Sequence, residues 1–224
     1  MKISVIVPTC YRPDMFRAML ESLYSTTQGY EIETIVLIDE DVETVGVLNS
    51  FPDEDITVNF RPTMRGAITC WNLGLSLSSG DIIVPAGDDQ KFYPKWLEYA
   101  LESHEKKVDG YGVIGMNDLA YDGNAQLATI VMFDRKFCKE VLGGVIAPPV
   151  YNYYCVDSEI NAKSKAMGKF YWDDRSIVEH LHSAHGKRPL DMHDISSGDL
   201  MGKDNVIFED RKLRGFPIEW ESLI

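Results

Sequence analysis

The chain has 224 residues, 45% hydrophobic and 25% charged, which suits one domain with a full core, or one domain plus a small appendage. Its 22 Lys and Arg against 35 Asp and Glu give a formal charge of −13, which argues against a general binder of nucleic acid or anionic membrane. Cys10, Cys70, Cys138 and Cys155 are dispersed without CxxC spacing and read as reduced thiols of a cytosolic protein; no signal peptide is apparent, and no apolar run approaches the roughly 20 residues a bilayer requires.

Ile3 to Val7 is β-branched and almost wholly apolar, as in a strand buried on both faces of a parallel sheet. Pro8-Thr9 ends it, and Arg12-Pro13-Asp14 introduces a helix with Phe16, Met19, Leu20 and Leu23 on one face. A second apolar run, Thr34 to Ile38, stops at Asp39-Glu40-Asp41. Val42 to Phe51 reads as helix, and Ile56 to Phe60 as a short strand. Ile68, Trp71 and Leu75 mark a third amphipathic helix, closed by Ser79-Gly80. Asp81 to Val84 is a fourth buried strand, and Phe92-Tyr93-Pro94 opens the next helix. Together these elements spell a right-handed βαβ series, an α/β fold with a mixed, mainly parallel sheet flanked by helices.

The second half is less regular. Trp96 to Lys107 reads as a helix, Gly112 to Met116 and Ala128 to Phe133 as strands, and Asp134 to Leu142 and Asp157 to Met167 as helices. Ser176 to Leu181 is a strand that ends among histidines. The expectation is a single domain over 1–188 in two halves that meet at about residue 100. Residues 189–224 form an extension that serves as a lid or an oligomer contact.

The fourth strand stops at Gly87-Asp88-Asp89-Gln90, which places two adjacent carboxylates where open α/β sheets keep their ligand crevice. Hard oxygen ligands of this kind suit Mg²⁺ or Mn²⁺, ions usually shared with a substrate's phosphates; an Asp-rich turn capping the next helix is the plainer alternative. No GxGxxG follows the first strand and no GxxxxGK[ST] occurs, so neither the dinucleotide nor the P-loop cradle is present. Instead, strand ends deliver Asp39 and the Asp88-Asp89 pair. A carboxylate can accept base or ribose hydrogens, and a second can hold a divalent ion against a diphosphate.

Ile3-Ser4-Val5-Ile6-Val7-Pro8-Thr9 with Arg12, then Ile38-Asp39, then Gly80 through Asp89, resembles the family 2 glycosyltransferases of the GT-A fold, over roughly residues 1–100 and more loosely 125–185. That resemblance implies a nucleotide-sugar donor, usually a UDP-sugar, bound by Pro8, Thr9, Arg12, Asp39 and Arg65. It implies Asp88 facing the ribose or diphosphate and Asp89 on Mn²⁺ or Mg²⁺. Ala86 stands where many members carry a further Asp. The family's catalytic base, an Asp opening a helix, corresponds to Asp157 or Glu159; Asp157, nearer the helix N-terminus, is favoured because the dipole keeps it ionised. His182 or His185 is the candidate to join the metal, with Lys187 on the leaving phosphates.

The function this implies is metal-dependent inverting transfer of a sugar to an acceptor hydroxyl, without membrane insertion. A glycan or a hydroxymethylated DNA base would serve as acceptor. The latter requires Lys187, Arg188, Lys203, Arg211, Lys212 and Arg214 to form a local basic face. The rivals are a binding domain without catalysis and a nucleotidyltransferase, whose Gly-rich basic loop the chain lacks.

Overall fold

The computed structural model describes residues 1–52, 54–64, 66–120 and 127–220. Four strands, β1 (Lys2–Thr9), β2 (Glu31–Asp39), β3 (Ile56–Arg61) and β4 (Ile82–Pro85), run parallel in the order β3-β2-β1-β4. Helices α1 (Pro13–Thr26), α2 (Val42–Val47) and α3 (Gly66–Leu77) make the crossovers. Beyond β4 come β5 (Gln90–Phe92), α4 (Trp96–Val108), β6 (Val113–Asn117), β7 (Ile130–Asp134), α5 (Arg135–Glu140), α6 (Val156–Ala166) and β8 (Phe170–His180). They complete an eight-stranded order among the described residues, β3-β2-β1-β4-β7-β6-β8-β5, with β7 antiparallel to β4 and β6.

The alternation of a strand's side chains divides the core into two layers. Ile3, Val5 and Val7 of β1 pack with Phe16, Met19, Leu20 and Leu23 of α1 and with Trp96 of α4. Ile6 of the same strand faces the other way, toward Ile68 and Leu75 of α3, Phe137 of α5 and Ile160 of α6. Pro13 opens α1 at a position where its missing N–H costs nothing. All four cysteines are buried and free.

Two sequence expectations differ from the structure. Phe92 does not open a helix; Gln90–Phe92 is a short strand pairing with β8, and α4 begins at Trp96. Three residues are too few to display a period, and Phe92 is buried against Trp96, with ring centroids 4.7 Å apart. β8 begins at Phe170 rather than Ser176, because Asp173-Asp174-Arg175 interrupts the apolar pattern. Asp173 is nonetheless buried, accepting from Ser103 Oγ at 2.6 Å and from the Arg175 side chain. The extension folds as α7 (Met192–Ser197) and α8 (Leu200–Leu213), both packed on the body. No helix among the described residues is long and apolar enough to cross a membrane.

β8 is the strand that assembles the site. It runs parallel to β6 as far as Asp173, shifts register, and then pairs antiparallel with β5, setting His180 opposite Gln90. The acidic turn after β4 and the histidine end of β8 thereby become neighbours.

Candidate functional site

The C-terminal ends of β1 to β4 converge on one edge, the usual ligand position of an open α/β sheet. Thr9, the last residue of β1, donates its hydroxyl to Asp88 Oδ2 at 2.9 Å. Pro8 precedes it on the strand. Arg12 approaches from the entry to α1: its Nη1 lies 2.9 Å from Asp88 Oδ1 and 3.8 Å from Asp89 Oδ2, and its Nε and Nη2 bond Asp191 Oδ2 at 2.8 and 2.7 Å.

Asp39 is buried at the end of β2, where Oδ1 accepts from Arg61 Nε at 2.7 Å and Oδ2 from the Gly66 amide at 3.2 Å. Arg61, which the sequence reading did not single out, is its register partner on β3. The signal was present in the parallel register, which sets the last residue of one strand beside the last of the next. Arg65 lies outside the described residues.

Asp88 and Asp89 are 5% and 7% exposed. Burial, with Asp89 adding to it, pushes the Asp88 carboxyl up against the pull of Arg12. For Asp89, burial is outweighed by His180, Arg12 and Arg188, and the carboxyl falls to about 2. His180 Nε2 stands 3.4 Å from Asp89 Oδ1 and Arg188 Nη2 3.7 Å from Oδ2. Burial lowers His180, but Asp89 prevails and its imidazole is raised above the ordinary histidine value. Gly87 makes the turn possible at close quarters: a Cβ there would meet Asp89 Oδ1 at 2.9 Å.

The histidine at the acid pair is thus His180, which the sequence reading passed over in favour of its neighbours. His182 caps the short turn after β8, its Nδ1 accepting the Ala184 amide at 3.0 Å, and His185 is exposed. The two continue a stack from His180, with centroids 5.0 Å and then 6.0 Å apart. Lys187 Nζ lies 3.1 Å from Glu179 Oε1 and bonds the Asp118 carbonyl. The tail cation beside Asp89 is instead Arg188, which also grips Asp194 at 2.6 and 3.0 Å.

The two base candidates have different surroundings. Asp157, in the first turn of α6, is raised by burial against the Ser158 amide, which donates to its Oδ1 at 2.7 Å, and the Ser158 hydroxyl. Glu159 is 1% exposed and fully engaged: Arg211 binds both its oxygens at 2.8 and 2.7 Å, Tyr151 donates at 2.8 Å, and Lys163 stands at 3.2 Å. Glu159 thus ties α6 to α8, whereas Asp157 has no ion pair among the described residues. The tail bases also pair at home. Of the six tail bases, Lys187, Arg188, Arg211, Lys212 and Arg214 each meet a carboxylate.

Among the described residues no three His, Cys, Asp or Glu side chains are arranged to hold a cation unaided. The donor set does suit an ion shared with a ligand, since Mg²⁺ and Mn²⁺ commonly take one or two protein groups and fill the rest from phosphates and water. Asp89 and His180 supply two groups. Gln90 Oε1 and Arg188 Nε, on residues flanking Asp89, are buried without a hydrogen-bond partner among the described residues, one an acceptor wanting a donor or cation and the other a donor wanting an anion.

A family model described as Glycosyl transferase family 2 matches residues 4–177. An uncharacterized glycosyltransferase of Haemophilus influenzae is 34% identical over 104 residues, covering 46% of this chain and 35% of that protein. The mannosyltransferase PcManGT from Pyrobaculum calidifontis, solved with GDP-Man and Mn²⁺, superposes with a TM-score of 0.66 at 19% identity, covering 80% of this chain and 56% of that one. S. aureus TarS 1–349 with UDP-GlcNAc gives 0.63 at 16% identity, covering 80% and 57%. The chain therefore spans about a third of the curated relative and a little over half of these solved chains. With a family model covering most of its length and a GT-A sheet carrying the acid pair, the chain belongs to glycosyltransferase family 2.

Proposed function

We propose that this chain transfers a sugar from a nucleotide-diphosphate donor to an acceptor hydroxyl, with inversion at the anomeric carbon and dependence on Mn²⁺ or Mg²⁺. The observation that carries the reading is the buried Asp88-Asp89 pair after β4, with His180 beside Asp89. Thr9 and Asp39 line the nucleoside end, and Arg12 offers its guanidinium to the phosphates once the donor arrives. A divalent ion, held by Asp89 with His180, would offset the negative charge of the leaving diphosphate. Asp157 takes the acceptor's hydroxyl proton while that oxygen bonds to the anomeric carbon, and the carbon–phosphate oxygen bond breaks with its electron pair leaving on the diphosphate. Burial serves this role, because a carboxylate raised above its usual range is a stronger base.

A UDP-sugar is the donor we propose, and a glycan hydroxyl the acceptor class. Support for the donor class comes from the neighbours, one solved with UDP-GlcNAc and another with GDP-Man. A panel of UDP- and GDP-sugars with Mn²⁺, read by thermal shift and then by donor hydrolysis, tests the reading. One donor should stabilise the fold and be hydrolysed, and EDTA should abolish both effects. Tight nucleotide binding with no turnover on any acceptor would replace it with a binding domain. Pyrophosphate release from a nucleoside triphosphate would replace it with a nucleotidyltransferase.

A further inference from the structure

Beyond the family match, which ends at residue 177, the extension does more than cover the site. Asp204 of α8 is completely buried, yet among the described residues it forms no ion pair. Its two oxygens accept four hydrogen bonds from one turn: Asn152 backbone N at 2.9 Å, Asn152 Nδ2 at 2.7 Å, and the amides of Tyr153 and Tyr154 at 2.7 Å each. Burial alone would raise this carboxyl, but the four donors outweigh it and hold it below the usual range. A buried anion satisfied wholly by backbone and amide N–H groups specifies one turn geometry, since any other leaves a buried charge short of donors.

That turn leads straight into the base helix. Cys155 follows it in the left-handed region at φ 67°, a conformation a non-glycine residue keeps only where its surroundings impose it, and its Sγ donates to Asn205 of α8 at 3.3 Å. Asp157 comes two residues later. On the turn itself, Tyr153 is 37% exposed. Tyr154 packs edge-on against Tyr153 at 5.0 Å and reaches Ser197 of α7 at 3.1 Å.

We propose that Asp204 is a positioning residue: from α8 it fixes the Asn152–Tyr154 turn, and thereby sets Asp157 at the head of α6 in working orientation. The proposal rests on the transferase reading above, and its test separates the two. Asp204→Ala and Asp204→Asn are compared with the unaltered chain in three measurements: backbone amide exchange over 152–157, Kd for UDP with Mn²⁺, and turnover of the donor selected by the panel. In Asp204→Ala, exchange over the turn should rise at least about tenfold and turnover fall at least about tenfold, while the UDP Kd stays within about twofold. Asp204→Asn should lie between, because its carbonyl oxygen still accepts, and it carries the test if the alanine variant does not fold. Unchanged exchange overturns the proposal, as does turnover within about twofold of the unaltered chain, or a UDP affinity that falls in step with turnover. If the unaltered chain turns over no donor, the transferase reading fails, and the exchange measurement alone decides whether Asp204 holds the turn.

Discussion

Asp88 and Asp89 are neighbours in sequence but occupy opposite electrostatic situations. Thr9 and Arg12 engage Asp88, whereas Asp89 lies among His180, Arg12 and Arg188 and is held to about 2. Asp89 therefore stays ionised across physiological pH and is the residue suited to a cation. Asp89→Ala should weaken UDP binding in the presence of Mn²⁺ by at least about tenfold, measured by calorimetry, and make the remaining affinity indifferent to EDTA. Asp157→Asn should leave that affinity unchanged and reduce turnover about 10²- to 10⁴-fold, the range expected on losing a general base. The placement of Thr9 and Asp39 at strand ends, of the acid pair in the turn after β4 and of Asp157 in the first turn of α6 was legible, because sequence patterns mark such positions. His180 was harder to separate from His182 and His185, since the choice depends on register. Only the β5–β8 pairing, with Gln90 opposite His180, brings that ring to Asp89. Arg61 escaped notice, and Arg188 was read only as part of a basic face, for the same reason: long-range pairing, rather than local pattern, aims them at carboxylates.

At the scale of elements, α6 and α8 are joined by a buried ion pair rather than by apolar packing alone. Arg211 binds Glu159 through two nitrogens, and its guanidinium carbon stacks 5.0 Å from the Trp220 ring. Removing one partner of such a pair strands the other in a dry environment, at a cost of about 3–5 kcal/mol. Arg211→Ala should accordingly lower the midpoint of thermal unfolding by roughly 10 °C, followed by circular dichroism. Arg211→Lys, which restores charge but not the planar fork, should recover only part of the loss. The apolar strands β1, β2 and β4 declared themselves by composition, as strands buried on both faces do. β5, the first half of β8 and the two tail helices did not. A three-residue strand has no period, Asp173 is a polar residue buried by its partners, and α7 and α8 expose Met192, Ile195 and Val206 where an apolar stripe would be sought inside.

Across the whole molecule, the sheet's stability and the site's charge respond to pH separately. At the base of the sheet, away from the acid pair, Glu33 of β2 accepts from Ser4 of β1, from Ser79 and Gly80 ahead of β4, and from Lys2 at 2.6 Å. Burial would raise its carboxyl, but these donors outweigh burial and lower it to about 2. Because the folded value lies below the unfolded one, the stabilisation is complete above the ordinary carboxylate range near 4.5 and is lost as pH falls toward about 2. It is worth on the order of 2–3 kcal/mol. Glu33→Gln should flatten the denaturant-unfolding profile across that acid window and destabilise the chain above it. The site half of the molecule obeys a different constraint: it gathers Asp88, Asp89, Asp191 and Asp194 and balances them with Arg12, Arg188 and His180. A diphosphate entering this site finds no surplus positive charge, which is the physical reason its binding should require a cation. The most direct measurement is calorimetric titration of UDP into the full chain with Mn²⁺ and again after EDTA, repeated on Asp89→Ala. Binding that appears only with Mn²⁺, and is lost in the variant, is the result expected; UDP affinity equal in all of these titrations would contradict the account.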